Sequence, residues 1–266
     1  MAKLLLRNIH TLATVNDRDE VFHGVSVRID GNVITEIGPG LMPADEERII
    51  DCSKHVIYPG FVNTHHHLYQ TMQRCVPYVA NAKLFDWLVG LYEIWRHLTP
   101  EAVYYSALVG IGELLMSGCT TIADHFYVFP KDQPRDLLDH TIEAAQRLGA
   151  RFHPTRGSMS RGKSPGGLPP DEVVQESDEI LYDCQRVIEI YHDPAPLSML
   201  RIGLSPCSPF SVTGEQMKEI AQFAREHEGV RLHTHLAETI DENEYCEEIY
   251  GKRPLALMEE LGWIGD

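Results

Sequence analysis

Gly60-Phe61-Val62-Asn63-Thr64-His65-His66-His67 decides how this chain is read. An apolar, β-prone run over residues 56–62 stops abruptly in three histidines. Side chains alternate faces along a strand, so His65 and His67 are expected on one side and His66 on the other. Two neutral imidazoles on one face at a strand end form half of a metal site. The plain alternative is a polar loop that happens to carry histidine. The direct attachment of the triplet to an apolar run argues for ligation.

Upstream, residues 3–50 read as short strands and turns. Val25-Ser26-Val27-Arg28-Ile29 alternates apolar and polar, Asp30-Gly31 signals a hairpin, and Val33-Ile34-Thr35-Glu36-Ile37 resumes the strand pattern. Residues 1–55 are therefore expected to form a small β-sandwich lobe, and residues 56–266 a second domain. After His67, strands and helices alternate. Helical stretches are expected over residues 85–97, 100–117, 135–148, 171–191, 213–227 and 241–261. Strands are expected over 120–126, 151–155, 200–204 and 230–235. This alternation, about five βα units long, indicates an α/β fold with a parallel sheet. Thr99-Pro100-Glu101 is an N-cap followed by proline at the first helical position.

Composition narrows the function. The 266 residues carry 23 basic and 39 acidic side chains, a net charge of −16. Such a balance argues against nucleic acid or an anionic membrane as partner and suits a small neutral or cationic molecule. The six cysteines contain no CxxC pair, which reads as reduced thiols in a cytoplasmic protein.

A second cluster, Val230-Arg231-Leu232-His233-Thr234-His235-Leu236-Ala237-Glu238, again ends a strand in histidine. His235 is the expected third metal ligand. Glu238, just beyond it, could take and deliver a proton beside an activated water. As a bland alternative, Glu238 is a favourable charge at a helix N-terminus.

These two motifs resemble the first- and fifth-strand motifs of the amidohydrolase superfamily, in its nucleobase deaminase branch. The resemblance covers essentially the whole chain. It implies a (β/α)8 TIM-type barrel with the site at the C-terminal ends of the strands. It assigns His65, His67 and His235 to one divalent metal, zinc or iron, and Glu238 to proton transfer. The fourth strand ends Leu204-Ser205-Pro206-Cys207 and lacks the lysine of dinuclear members, hence one metal. The family's later histidine and aspartate motifs are absent, so the chain is expected to be a barrel truncated after about five units, the N-terminal part of a longer protein whose remainder completes the lobe.

Within the superfamily, the segments Leu84-Phe85-Asp86-Trp87-Leu88, Asp124-His125-Phe126-Tyr127 and Ser205-Pro206-Cys207-Ser208-Pro209-Phe210 look closest to 8-oxoguanine deaminases and the neighbouring triazine aminohydrolases. The implied reaction is hydrolytic deamination of a purine base, 8-oxoguanine to urate and ammonia. Guanine, an adenosine derivative or a hydroxytriazine is the alternative substrate, and a non-catalytic scaffold the alternative class. Cys207, Gln70, Arg156 and His125 are the expected substrate contacts. Three of them have a structural alternative: a small buried residue for Cys207, a helix cap for Gln70, a salt bridge for Arg156. A homodimer is common in such relatives.

Overall fold

Thr99 opens its helix as the sequence predicts: its hydroxyl accepts the Ala102 N–H at 3.2 Å, with Pro100 in the first turn. The computed structural model that shows this describes residues 3–264. The chain divides into two compact units, one ending at Phe61 and the other beginning at Val62.

Among the described residues the first unit has seven strands: β1 (Lys3–Ile9), β2 (Thr11–Ala13), β3 (Val21–Phe22), β4 (Val25–Asp30), β5 (Val33–Gly38), β6 (Glu47–Asp51) and β7 (Val56–Ile57). They form a four-stranded sheet, β5-β4-β1-β6, and a three-stranded one, β3-β2-β7. The β4–β5 hairpin turns at Gly31, which takes φ 61°, a conformation that costs glycine little. Ile9, Leu12, Val25, Val27 and Cys52 form one small core from both sheets.

The second unit carries five parallel strands in sequential order: β8 (Phe61–Asn63), β9 (Cys119–Phe126), β10 (Arg151–Ser158), β11 (Gly203–Pro206) and β12 (Arg231–Leu232). Between and after them lie α1 (Leu84–Trp95), α2 (Pro100–Met116), α3 (Leu137–Leu148), α4 (Ser177–Tyr191), α5 (Gly214–Arg225), α6 (Ile240–Tyr250) and α7 (Pro254–Glu260). Each strand pairs with its sequence neighbour, the order found in a TIM-type barrel. Trp95, Ile111, Ile122, Phe126, Leu137 and Phe152 are among the side chains that fill the layer between sheet and helices.

Three expectations are corrected. The apolar run before the histidines is two strands: β7 pairs with β2, β8 joins the parallel sheet, and the break falls at Tyr58-Pro59-Gly60, where proline has no N–H to donate. The single helix expected over 241–261 is two, because Gly251 adopts φ 66° as a left-handed C-cap and Pro254 starts a new helix. The stretch 171–191 begins with a separate 3-10 turn, Asp171–Val173, before α4.

The approach of β9 to β10 depends on Gly157. A Cβ there would lie 2.3 Å from the Phe126 carbonyl oxygen and 2.9 Å from its carbon, both backbone atoms. Gly157→Ala is therefore expected to destabilise the fold by about 2 kcal/mol or more, as overpacking against atoms that cannot rotate away does. Urea midpoints for the two proteins check this; equal midpoints would show that the strands can part freely.

Candidate metal centre

β8 and β12 deliver their histidines to the same end of the sheet. Hydrogen bonding continues past the formal strand ends: the N–H groups of His233 and His235 donate to the carbonyls of Leu204 and Cys207, both at 3.0 Å, and His125 N–H donates to His66 O at 2.7 Å. This extended ladder keeps the alternation alive. His65 and His67 fall on one side, and His66 points elsewhere, its Nδ1 buried without a partner.

The ring nitrogens of His65, His67 and His235 lie within 4.8 Å of one another. His67 Nε2 is 3.2 Å from His65 Nε2 and 3.1 Å from His235 Nε2. Neighbouring carbonyls fix the tautomers. His67 Nδ1 is 2.7 Å from His125 O, and His235 Nδ1 is 2.9 Å from Cys207 O. A carbonyl only accepts, so both Nδ1 atoms carry hydrogen and both Nε2 atoms of the neutral rings are bare. Two bare lone pairs at 3.1 Å repel. A cation held by both would turn that repulsion into ligation. His65 completes the trio, and its Nδ1 sits 2.8 Å from His233 Nε2, which can hold the third ring in the same way. Burial also lowers the pKa of His65, His67 and His235, for His235 to about 4, so the rings stay neutral and able to bind a cation at neutral pH. The donor set fits a divalent ion with nitrogen preference, such as zinc.

Beside these rings lies a cavity of about 210 Å³ lined by His65, His67, His235, Gln70, Cys207 and Glu238, with Leu84, Trp87, Leu88, Tyr127 and Phe210 as its apolar and aromatic walls. Glu238 has its pKa raised by burial and, secondarily, by the nearby Glu242 charge. The Cys207 thiol is pushed up to about 12 by burial, so it stays protonated. Gln70 donates from Nε2 to Tyr69 Oη at 3.1 Å, leaving its amide oxygen free of that contact.

Two of the expected substrate contacts stand elsewhere. Arg156 is 1% exposed and spends its guanidinium on Asp183 at 2.6 Å, Gln175 at 2.9 Å and the Gly157 carbonyl, with its plane over the Phe129 ring. Arg156 is thus the centre of a buried ion-pair network tying β10 to α4, which corrects the substrate role expected for it. His125 is fully buried, stacks on His235 with ring centroids 4.4 Å apart, and is not part of the cavity wall. Its backbone oxygen, not its ring, serves His67. Three residues at or beside the site have no role that the sequence motifs assign: His233, Glu242 and the cavity-lining Trp87. For His233 the H-x-H spacing just beyond β12 is the available signal.

The amidohydrolase family model matches residues 56–266. The 8-oxoguanine deaminase of Pseudomonas aeruginosa is 44% identical over the whole chain, which covers 58% of that protein. The hydroxydechloroatrazine ethylaminohydrolase of Pseudomonas sp. strain ADP is 32% identical, with the whole chain covering 57% of it. The crystal structure of an atrazine chlorohydrolase from Arthrobacter aurescens TC1 complexed with zinc superposes with a TM-score of 0.89 at 32% identity, over 98% of this chain and 58% of that one. The chain thus spans a little over half the length of the curated relatives it matches. Its sequential parallel sheet, paired histidine motifs and family match converge on one statement: this chain belongs to the amidohydrolase family.

Proposed function

We propose that this chain supplies the metal-binding and proton-transfer half of a hydrolytic deaminase acting on 8-oxoguanine, giving urate and ammonia. The observation that carries this reading is the shared cavity: three imidazoles with their Nε2 lone pairs turned to one point, and Glu238 lining the same space. Similarity to the 8-oxoguanine deaminase, at 44% identity, supports the choice of base.

His65, His67 and His235 would hold one divalent ion, zinc by its affinity for imidazole. When bound, that ion supplies Lewis acidity that makes water a nucleophile near neutral pH. The chain's own residues do the rest. Glu238, whose raised pKa brings it closer to the working pH, accepts a proton from the attacking water and passes it to the ring nitrogen next to the amino-bearing carbon. Oxygen bonds to C2 as the double bond from C2 to that ring nitrogen opens; the new hydroxyl then gives its remaining proton, through Glu238, to the amine, and the exocyclic C2–N bond breaks as the C2 carbonyl forms and ammonia leaves. Trp87, Tyr127 and Phe210 offer flat apolar walls to a planar base and exclude water around it. Gln70 and the protonated Cys207 thiol face its polar edge, the first as donor or acceptor and the second as a weak donor.

Zinc-loaded full-length protein is expected to release ammonia from 8-oxoguanine at a kcat/KM at least about tenfold above that for guanine, 5-methylthioadenosine or a hydroxytriazine. A tenfold preference needs only about 1.4 kcal/mol of differential binding in the transition state. Faster turnover of a triazine would move the assignment to the aminohydrolase side of the family. Among the described residues no helix is long and apolar enough to cross a membrane.

A further inference from the structure

The turn that carries Glu238 is held by a second carboxylate. Ala237 takes φ 55°, in the left-handed region that a residue with a Cβ enters only under constraint. The turn lies between the end of the parallel ladder and α6, so its N–H groups must find acceptors outside regular structure. Glu242 provides both. One carboxylate oxygen accepts the Ala237 N–H at 2.9 Å, and the other accepts the Glu238 N–H at 2.7 Å. Glu242 is completely buried, although it sits in the first turn of α6.

Its position is unusual in a definite way. Thr239 is the N-cap of α6, which makes Glu242 the third helical residue. In a capping box a glutamate there reaches back to the N-cap N–H. Here it reaches further, to the two residues before the N-cap, and the Thr239 side chain caps nothing. The helix has lent its capping group to the loop. Glu242 does not line the cavity, so it has no path to the substrate except through Glu238.

We infer that Glu242 is a positioning residue: its two charge-assisted bonds lock the left-handed turn and fix the direction from which Glu238 enters the cavity. The inference rests on the reading of Glu238 as the proton carrier. Removing one bond of this kind loosens the turn without touching any metal-binding nitrogen.

The test uses the zinc-loaded full-length protein and three variants: Glu242→Gln, Glu238→Gln and the double variant. Glu242→Gln keeps the size of the side chain and one acceptor oxygen but turns an NH2 toward the other N–H. It is expected to lower kcat about 10- to 100-fold, with KM changed less than about threefold and bound zinc unchanged. In the Glu238→Gln background the same substitution should add nothing, because its only route to the reaction is gone. Independently of turnover, hydrogen exchange in the peptide containing Ala237 and Glu238 should quicken about tenfold or more in Glu242→Gln, while peptides from α5 stay as in the parent. Unchanged exchange at the turn, or equal losses in both backgrounds, overturns the inference. Loosened exchange together with full activity in Glu238→Gln would sink the proton-carrier reading instead and leave Glu242 as a structural clamp.

Discussion

Glu238→Gln is expected to cut ammonia release about 1,000-fold while the protein keeps its zinc. The size follows from the task. A positioned acid–base group contributes about 100- to 10,000-fold, and the middle of that range corresponds to about 4 kcal/mol of barrier. Glutamine has the same shape and still lines the cavity, but it can neither accept the water proton nor deliver it to the ring. Binding should persist, since the walls formed by Trp87, Tyr127 and Phe210 are untouched. The loss should therefore fall on kcat with KM little changed. Zinc content by mass spectrometry and ammonia release under saturating 8-oxoguanine check both halves. A variant that keeps more than a tenth of parental kcat would remove Glu238 from the chemistry.

Much of this was legible in the sequence, for a physical reason. His65 with His67, and His233 with His235, are each two residues apart, and strand alternation alone puts such pairs on one face. Parallel neighbours then bring the strand ends to one edge, so a linear pattern becomes a cluster. What stayed hidden is what depends on backbone atoms and on distance. That His67 rests on the carbonyl of His125, and His235 on that of Cys207, needs the register of β8 with β9 and of β11 with β12. No side-chain pattern encodes a carbonyl's direction. Arg156 misled for a related reason. It lies just past the strand expected over 151–155, where a substrate contact is plausible, but β10 runs on to Ser158 and carries the guanidinium to Asp183 of α4. Asp183 lies far along the chain, in a helix whose rotation the sequence does not announce. The two-part strand before the triplet and the break at Gly251 are visible in hindsight as Pro59 and as the Gly251–Pro254 spacing, both local signals outweighed by apolar periodicity.

His67→Ala should have the largest effect on metal affinity of any single substitution in the chain. His67 is the central member of the trio, within 3.2 Å of both other Nε2 atoms, and it is held by the shortest of the supporting carbonyl contacts, 2.7 Å. Without it, His65 and His235 remain as two ligands. Loss of a supporting partner around a metal costs about 10- to 100-fold in affinity, and loss of a ligand itself should exceed that, so zinc Kd is expected to rise by more than about 100-fold. His233→Ala, which removes only the acceptor for His65 Nδ1, should stay within that 10- to 100-fold band. His66→Ala is the control: its ring lies outside the trio, and zinc binding should be unchanged. Competition against a chromophoric chelator gives the three affinities on one scale. The order His67 far above His233, with His66 at zero, follows from the geometry; equal losses for His66 and His67 would mean that the triplet binds metal as a loose surface cluster and that strand alternation does not select the ligands.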